Sequence, residues 1–90
     1  MMIIRDTFFS KQLYNILKII ASDKVSAAKL FEKELNKKIK NLIDFPYQCR
    51  ASYYFDNKAY RDLIHQGYTV IYKVEEERII ILEIFKWQNR

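Results

Sequence analysis

The sequence predicts an α+β domain with the order β-α-α-β-β-β, a helical hairpin packed on a largely antiparallel sheet. Residues 6–43 carry apolar side chains at intervals of three and four, the period of a helix buried on one side. Residues 59–85 hold three strand-like runs, separated by Gln66-Gly67 and by Glu75-Glu76-Glu77, both turn signals. Gly67 and Pro46 are the only glycine and proline, so regular elements with few loops are expected and a flexible linker is not.

Residues 1–5 are apolar and β-like, suited to an N-terminal strand. Asp6 or Thr7 can cap the helix that follows, since either side chain accepts a bond from a free amide of the first turn. Phe9, Leu13, Ile16 and Ile20 fall on one face of that helix, which Phe8 and Leu17 are expected to widen. Residues 21–23 break the pattern, and Asp23 is a second capping candidate. Over residues 24–43 the helical period returns, with Ala28, Phe31, Leu35, Ile39 and Leu42 as its apolar stripe. Lys29, Lys33, Lys37 and Lys40 form a basic stripe on the same helix. Phe45-Pro46 ends it, because proline cannot donate the next backbone bond and restricts its predecessor.

Residues 50–55 read as extended and residues 56–58 as a turn. Three strands follow, over 59–65, 68–74 and 78–85. Glycine at position 67 tolerates the positive φ of a tight hairpin. Residues 79–82 are continuously apolar, as expected of a strand buried on both faces.

Ninety residues make one domain, 1–90, which buries about 60–65% of its unfolded surface. Cys49 is alone, so neither an intramolecular disulfide nor a cysteine zinc site can be built. Arg5 and Asp6 interrupt the first apolar run, and no stretch approaches the roughly 18 apolar residues of a membrane span. A cytoplasmic protein without a membrane partner is expected. The net charge is +5, and it is unevenly placed. Residues 1–59 hold eleven Lys/Arg against six Asp/Glu, while residues 60–90 hold five of each. A basic surface of this kind suits nucleic acid, the ribosome or an acidic protein, and equally suits solubility.

Familiar catalytic arrangements are absent. His65 and Cys49 make no recognisable metal spacing, and there is no glycine-rich phosphate loop, so no metal or cofactor is expected. His65 reads as a polar residue at a hairpin end. What remains is a set of cations near the sheet: Arg50, Lys58, Arg61, Lys73, Lys86 and Arg90. Cleavage of RNA by 2′-hydroxyl attack needs a proton acceptor, a proton donor and charge stabilisation at phosphorus. Clustered Lys and Arg can supply the last, and a lysine of depressed pKa can exchange the proton. The same positions also fit the solvent side of half-buried strands. Arg61 stands apart, because it alternates with Ala59 and Leu63 on an apolar face and must cross to a partner or enter a cleft. The Lys29/Lys33/Lys37/Lys40 stripe can grip phosphates, dock on an acidic partner, or simply be solvated.

The region from Arg61 to Phe85 is the most distinctive part of the chain. An arginine precedes a Gly-Tyr hairpin, a Tyr-rich strand follows, and an acidic turn leads into an isoleucine-rich strand with a short polar tail. With the helix-end-then-proline junction from Leu42 to Pro46, this arrangement resembles the toxins of the RelE/ParE superfamily in bacterial type II toxin–antitoxin systems. The resemblance implies a growth-inhibiting toxin neutralised by a cognate antitoxin whose C-terminal segment covers the basic groove. It implies a role for Arg61, the most recognisable polar position, and places Tyr68 and Tyr72 at the aromatic positions of the next strand. RelE-like members cleave mRNA on the ribosome, whereas ParE-like members inhibit DNA gyrase by binding; both mechanisms stay open here. Ribonuclease members often carry a histidine or tyrosine after the last strand, and gyrase-directed members often a histidine and arginines. This chain departs from that pattern with Lys86, Trp87, Gln88, Asn89 and Arg90. Lys86 could serve phosphate and Trp87 could stack on a base, giving Arg61, Lys86, Arg50 and Lys58 as catalytic candidates. Lys73, Trp87, Arg90 and the lysine stripe are then candidates for target binding. A basic accessory domain that binds nucleic acid or protein is the alternative outside the family. Oligomeric state is left open.

Overall fold

The computed structural model describes residues 1–86. Its elements are β1 (Met2–Arg5), α1 (Thr7–Asp23), α2 (Val25–Asn41), β2 (Arg50–Ala51), β3 (Tyr60–His65), β4 (Tyr68–Val74) and β5 (Arg78–Lys86). Asp6 ends the first strand and starts the first helix. Its N–H donates to the Ile81 carbonyl at 2.9 Å, and its carboxylate accepts from the Phe8 amide at 3.0 Å, filling one of the bonds a helix start leaves open.

Phe9 and Leu13 of α1 are buried, with Ile16, Leu17 and Ile20 packed beside them. Phe8 stays in solvent instead of widening that face. Each helical residue turns about 100°, which carries position 8 away from the Phe9–Leu13–Ile16–Ile20 line while Leu17 remains near it. A single residue, Lys24, joins the helices: its N–H closes α1 on the Ile20 carbonyl, and it stands at the N-cap of α2 with no side-chain cap bond. Asp23 is therefore the last residue of α1 and caps nothing. In α2, Ala28, Phe31, Leu35 and Ile39 are buried, and Leu42 just beyond it is also buried.

The sheet order is β1-β5-β4-β3-β2. β1 runs parallel to β5, and every other neighbouring pair is antiparallel. The β3–β4 hairpin turns through Gln66 and Gly67 with φ of 49° and 83°, the two positive values of a type I′ turn, which matches the twist of paired strands. Side chains alternate between sheet faces. Leu63, Val70, Tyr72, Val74, Ile79, Ile81 and Ile84 meet the helices, while Ile80 and Leu82 are only half-buried. The run 79–82 is thus buried on one face and partly covered on the other. Pairing steps from Tyr72↔Ile81 to Ile71↔Glu83, leaving Leu82 unopposed as a bulge.

The expected extended run 50–55 is strand only at Arg50–Ala51. Ser52 makes the last ladder bond, from its N–H to the Tyr60 carbonyl. Its hydroxyl then accepts from the Tyr54 amide at 3.1 Å, a local turn that competes with the strand. Asn57 makes a second such turn by accepting from the Ala59 amide. Between them the chain crosses the sheet face opposite the helices, with the Tyr54 ring edge-on to Phe85. No described helix is long and apolar enough to cross a membrane.

Candidate functional site

Arg61 lies on the helix-facing side of β3, next to the end of α2, because Leu63 two residues on is buried in the core. Its guanidinium does not project freely. Nε donates to the Lys58 carbonyl at 2.9 Å and Nη1 to the Cys49 carbonyl at 3.2 Å. The group lies over the Tyr47 ring, 4.8 Å from its centroid, within the range of a cation–π contact. It thereby ties Tyr47, Cys49 and Lys58, all in the connection between α2 and β3, to the sheet. Beside it, the Tyr72 hydroxyl donates to the Pro46 carbonyl at 2.9 Å. Burial, reinforced by hydrogen bonding with Cys49, pushes the Tyr72 phenol far above its ordinary range, so it holds its proton.

Arg50 belongs to the other face of the sheet. Its guanidinium pairs at 3.4 Å with Asp62, its register partner on β3, and lies 3.8 Å from the centre of the Tyr53 ring. The Asp62 carboxylate is wholly buried and also accepts from the Tyr53 amide at 3.1 Å. Lys73, on the same face, pairs with Glu75 at 3.3 Å and lies 5.5 Å from the Tyr60 ring centre. Arg78 and then Lys73 hold the Glu75 carboxyl below its ordinary range by donating to it.

The other predicted positions are dispersed. Lys58 is exposed, and its carbonyl is what meets Arg61. Lys86 is exposed opposite Tyr68, whereas Arg61 is opposite Tyr72. Four residues of β4 put about 13 Å along the strand between those rows. Lys29, Lys33, Lys37 and Lys40 are all exposed on α2. Lys37 and Lys40 help line a shallow depression at its C-terminal end with Lys38, Asn41 and Asp44. Trp87 and Arg90 lie outside the described residues. The structure therefore joins Arg61 to the Lys58 backbone, places Arg50 on the far face, and leaves Lys86 apart.

His65 is buried at the end of β3, its ring edge-on to Phe31. Nε2 is 3.1 Å from the Phe31 carbonyl. A carbonyl only accepts, so Nε2 carries the proton, and Nδ1 is a buried atom with no partner among the described residues. Burial, then nearby Lys38, lowers the His65 pKa below 6.5. A neutral histidine in this place is a core residue. No group of three or more His, Cys, Asp or Glu positioned for a metal occurs among the described residues.

Sequence periodicity does not single out the concentration of rings that the structure leaves in solvent. Phe45, Tyr47, Tyr53, Tyr54 and Phe55 fall within eleven residues, and all are exposed. Their density was the available signal. It was masked by a strand reading that explains aromatic residues without assigning them a surface.

Residues 3–88 match the family described as ParE toxin of type II toxin-antitoxin system, parDE. The chain belongs to the ParE toxin family. It is thus the toxin of a type II toxin–antitoxin pair, and its partner is a cognate antitoxin. Among solved structures, the chromosomal ParDE toxin–antitoxin system from P. aeruginosa contains a chain that superposes with a TM-score of 0.79. The match covers 98% of this chain and 97% of that one at 16% identity, so what it establishes is the shared ParE fold. No curated protein sequence matches this toxin.

Proposed function

We propose that this ParE toxin arrests growth in the cytoplasm by binding its target, without cutting RNA, and that the target is the one the ParE resemblance implies, DNA gyrase. The observation that carries this reading is the engagement of Arg61. Both of its bonded nitrogens face main-chain carbonyls, so its role is to clamp the segment between α2 and β3. A ribonuclease site needs acid, base and charge stabiliser within hydrogen-bond reach of one phosphate. Here Arg50 is paired on the opposite sheet face, and Lys86 is about 13 Å along the strand from the Arg61 row. His65 is enclosed and neutral, and the Tyr72 proton is committed to Pro46. These side chains suit a rigid scaffold that presents a surface to its target, and binding of the antitoxin to the toxin neutralises it.

Brief induction of the toxin followed by primer extension on an abundant mRNA tests the reading. Growth arrest with intact transcripts and relaxed plasmid DNA is the expected result. Codon-phased breaks inside the translated region would overturn it and return Arg61, Lys86, Arg50 and Lys58 to a catalytic role.

A further inference from the structure

The sheet face opposite the helices is covered by rings. Tyr53 is 76% exposed and Tyr54 48%. Tyr54 meets Phe85 edge-on, with centroids 5.2 Å apart, and Phe55 stacks on Tyr60 at 4.2 Å. Arg50 and Lys73 lie against Tyr53 and Tyr60. A stretch that merely returned the chain from α2 to β3 would do so with polar residues. Contiguous aromatic surface left in water on a small domain marks a binding surface.

We propose that this aromatic face is where the toxin grips its protein target, and that the matching surface on the target is apolar and low in charge. The proposal rests on the binding reading above and adds the surface that carries it. Three features support it. Tyrosine and arginine together are the residues that dominate protein interfaces, since each offers large area and a polar tip. The rings are also in contact before any partner arrives: Tyr53 lies against Arg50, which Asp62 holds, Tyr54 meets Phe85 and Phe55 stacks on Tyr60, so docking has less side-chain ordering to overcome. The third feature is charge. Arg50 and Lys73, the cations that lie against these rings, already have carboxylates, Arg50 with Asp62 and Lys73 with Glu75, which also pairs with Arg78. Cations so engaged are poorly placed to neutralise phosphates, which is what nucleic-acid affinity requires.

The helical hairpin offers a different surface. Tyr14, Ile19 and Leu30 are exposed there among lysines, a mixture that suits an acidic flexible segment. The toxin thus has two chemically distinct faces, and the low-charge aromatic one fits a folded protein.

The test uses the full-length toxin and two variants, Tyr53→Ala and Tyr53→Ala/Tyr54→Ala, in a supercoiling assay with purified gyrase. Antitoxin affinity and urea midpoint are measured on the same samples. At matched folded concentration the double variant is expected to need at least about tenfold more toxin for half-inhibition, with antitoxin affinity unchanged and the midpoint lowered modestly by loss of the Arg50–Tyr53 and Tyr54–Phe85 ring contacts. Equal inhibition by wild type and double variant would overturn the proposal. So would a parallel loss of antitoxin binding at matched folded concentration, which would give the face to the antitoxin. A parallel loss of affinity for a labelled single-stranded oligonucleotide would give it to nucleic acid. If the variants lose stability, Tyr53→Phe and Tyr53→Ser, which alter an exposed side chain, are compared at matched folded concentration; inhibition that is the same in both would again overturn it. Wild-type toxin that leaves gyrase unaffected would defeat the gyrase reading alone. The aromatic face would then be judged by growth arrest, which the double variant is expected to lose at equal expression and would retain if the proposal were wrong.

Discussion

Replacing Arg61 with alanine separates a clamp from an active-site cation. The change removes two charge-assisted bonds to main-chain carbonyls, one partly buried and one exposed, and a cation–π contact with Tyr47. A bond from a charged group contributes about 1.5–3 kcal/mol, with the exposed one at or below the lower end. The ring contact adds about 0.5–1 kcal/mol. The truncated side chain also leaves the Cys49 carbonyl short of a donor, while water can serve Lys58. A net loss of about 2–3 kcal/mol is the result, a large share of the stability of a small domain. For a urea m-value of about 1–3 kcal/mol/M, the midpoint falls by roughly 1 M or more. Arg61→Lys is expected to recover little of this, because an ammonium on a flexible stem cannot reproduce the fixed fork that reaches two carbonyls. The assay is urea unfolding followed by circular dichroism, paired with growth arrest at matched folded protein. An Arg61→Ala variant with an unchanged midpoint and abolished toxicity would refute the reasoning and make the guanidinium a functional cation.

Three further substitutions or conditions follow from the same geometry. Asp62→Ala removes the buried acceptor of both Arg50 and the Tyr53 amide; a loss of about 2–4 kcal/mol is expected, with faster proteolysis between residues 52 and 58. Tyr72→Phe deletes the bond to the Pro46 carbonyl and keeps the ring, so it should cost about 1 kcal/mol by chemical denaturation and leave antitoxin binding intact. His65 has a folded pKa below its unfolded 6.5, so the unfolded chain takes up a proton that the folded one refuses. Its contribution is complete above that value and is lost as pH falls from 6.5 toward the lowered folded pKa. The slope is at most about 1.4 kcal/mol per pH unit. A His65→Gln variant, whose side chain does not titrate, should show a flatter profile over that window.

The fold was legible wherever one periodicity ruled a segment. The Phe9–Leu13 and Phe31–Leu35–Ile39 spacings located both helix faces, and Gly67 located the hairpin, since these signals are local and repeat. The parallel partnership of β1 with β5 was not readable, because pairing across most of the chain leaves no local mark. Residues 50–55 misled for a related reason. Their aromatic content favours a strand, but the Ser52 hydroxyl and the buried Asp62 carboxylate divert the backbone after Ala51. Alternation marks Arg61 as an arginine on an apolar face in need of a partner, and its partners are carbonyls. Alternation could place it on that face and could not say what it met, because Cys49 and Lys58 reach it through loop geometry. Arg50 and Lys86 looked like its companions in sequence, yet the sheet separates them by face and by length.

The central claim is that this toxin inhibits by occupying its target. The most direct measurement is a titration of a fixed amount of gyrase with purified toxin, scoring supercoiling at each ratio. Stoichiometric loss of activity, restored by one equivalent of antitoxin per toxin and accompanied by no RNA cleavage on translating ribosomes, is the predicted result. Undiminished supercoiling at excess toxin, together with multiple-turnover cleavage of ribosome-bound mRNA, would contradict it.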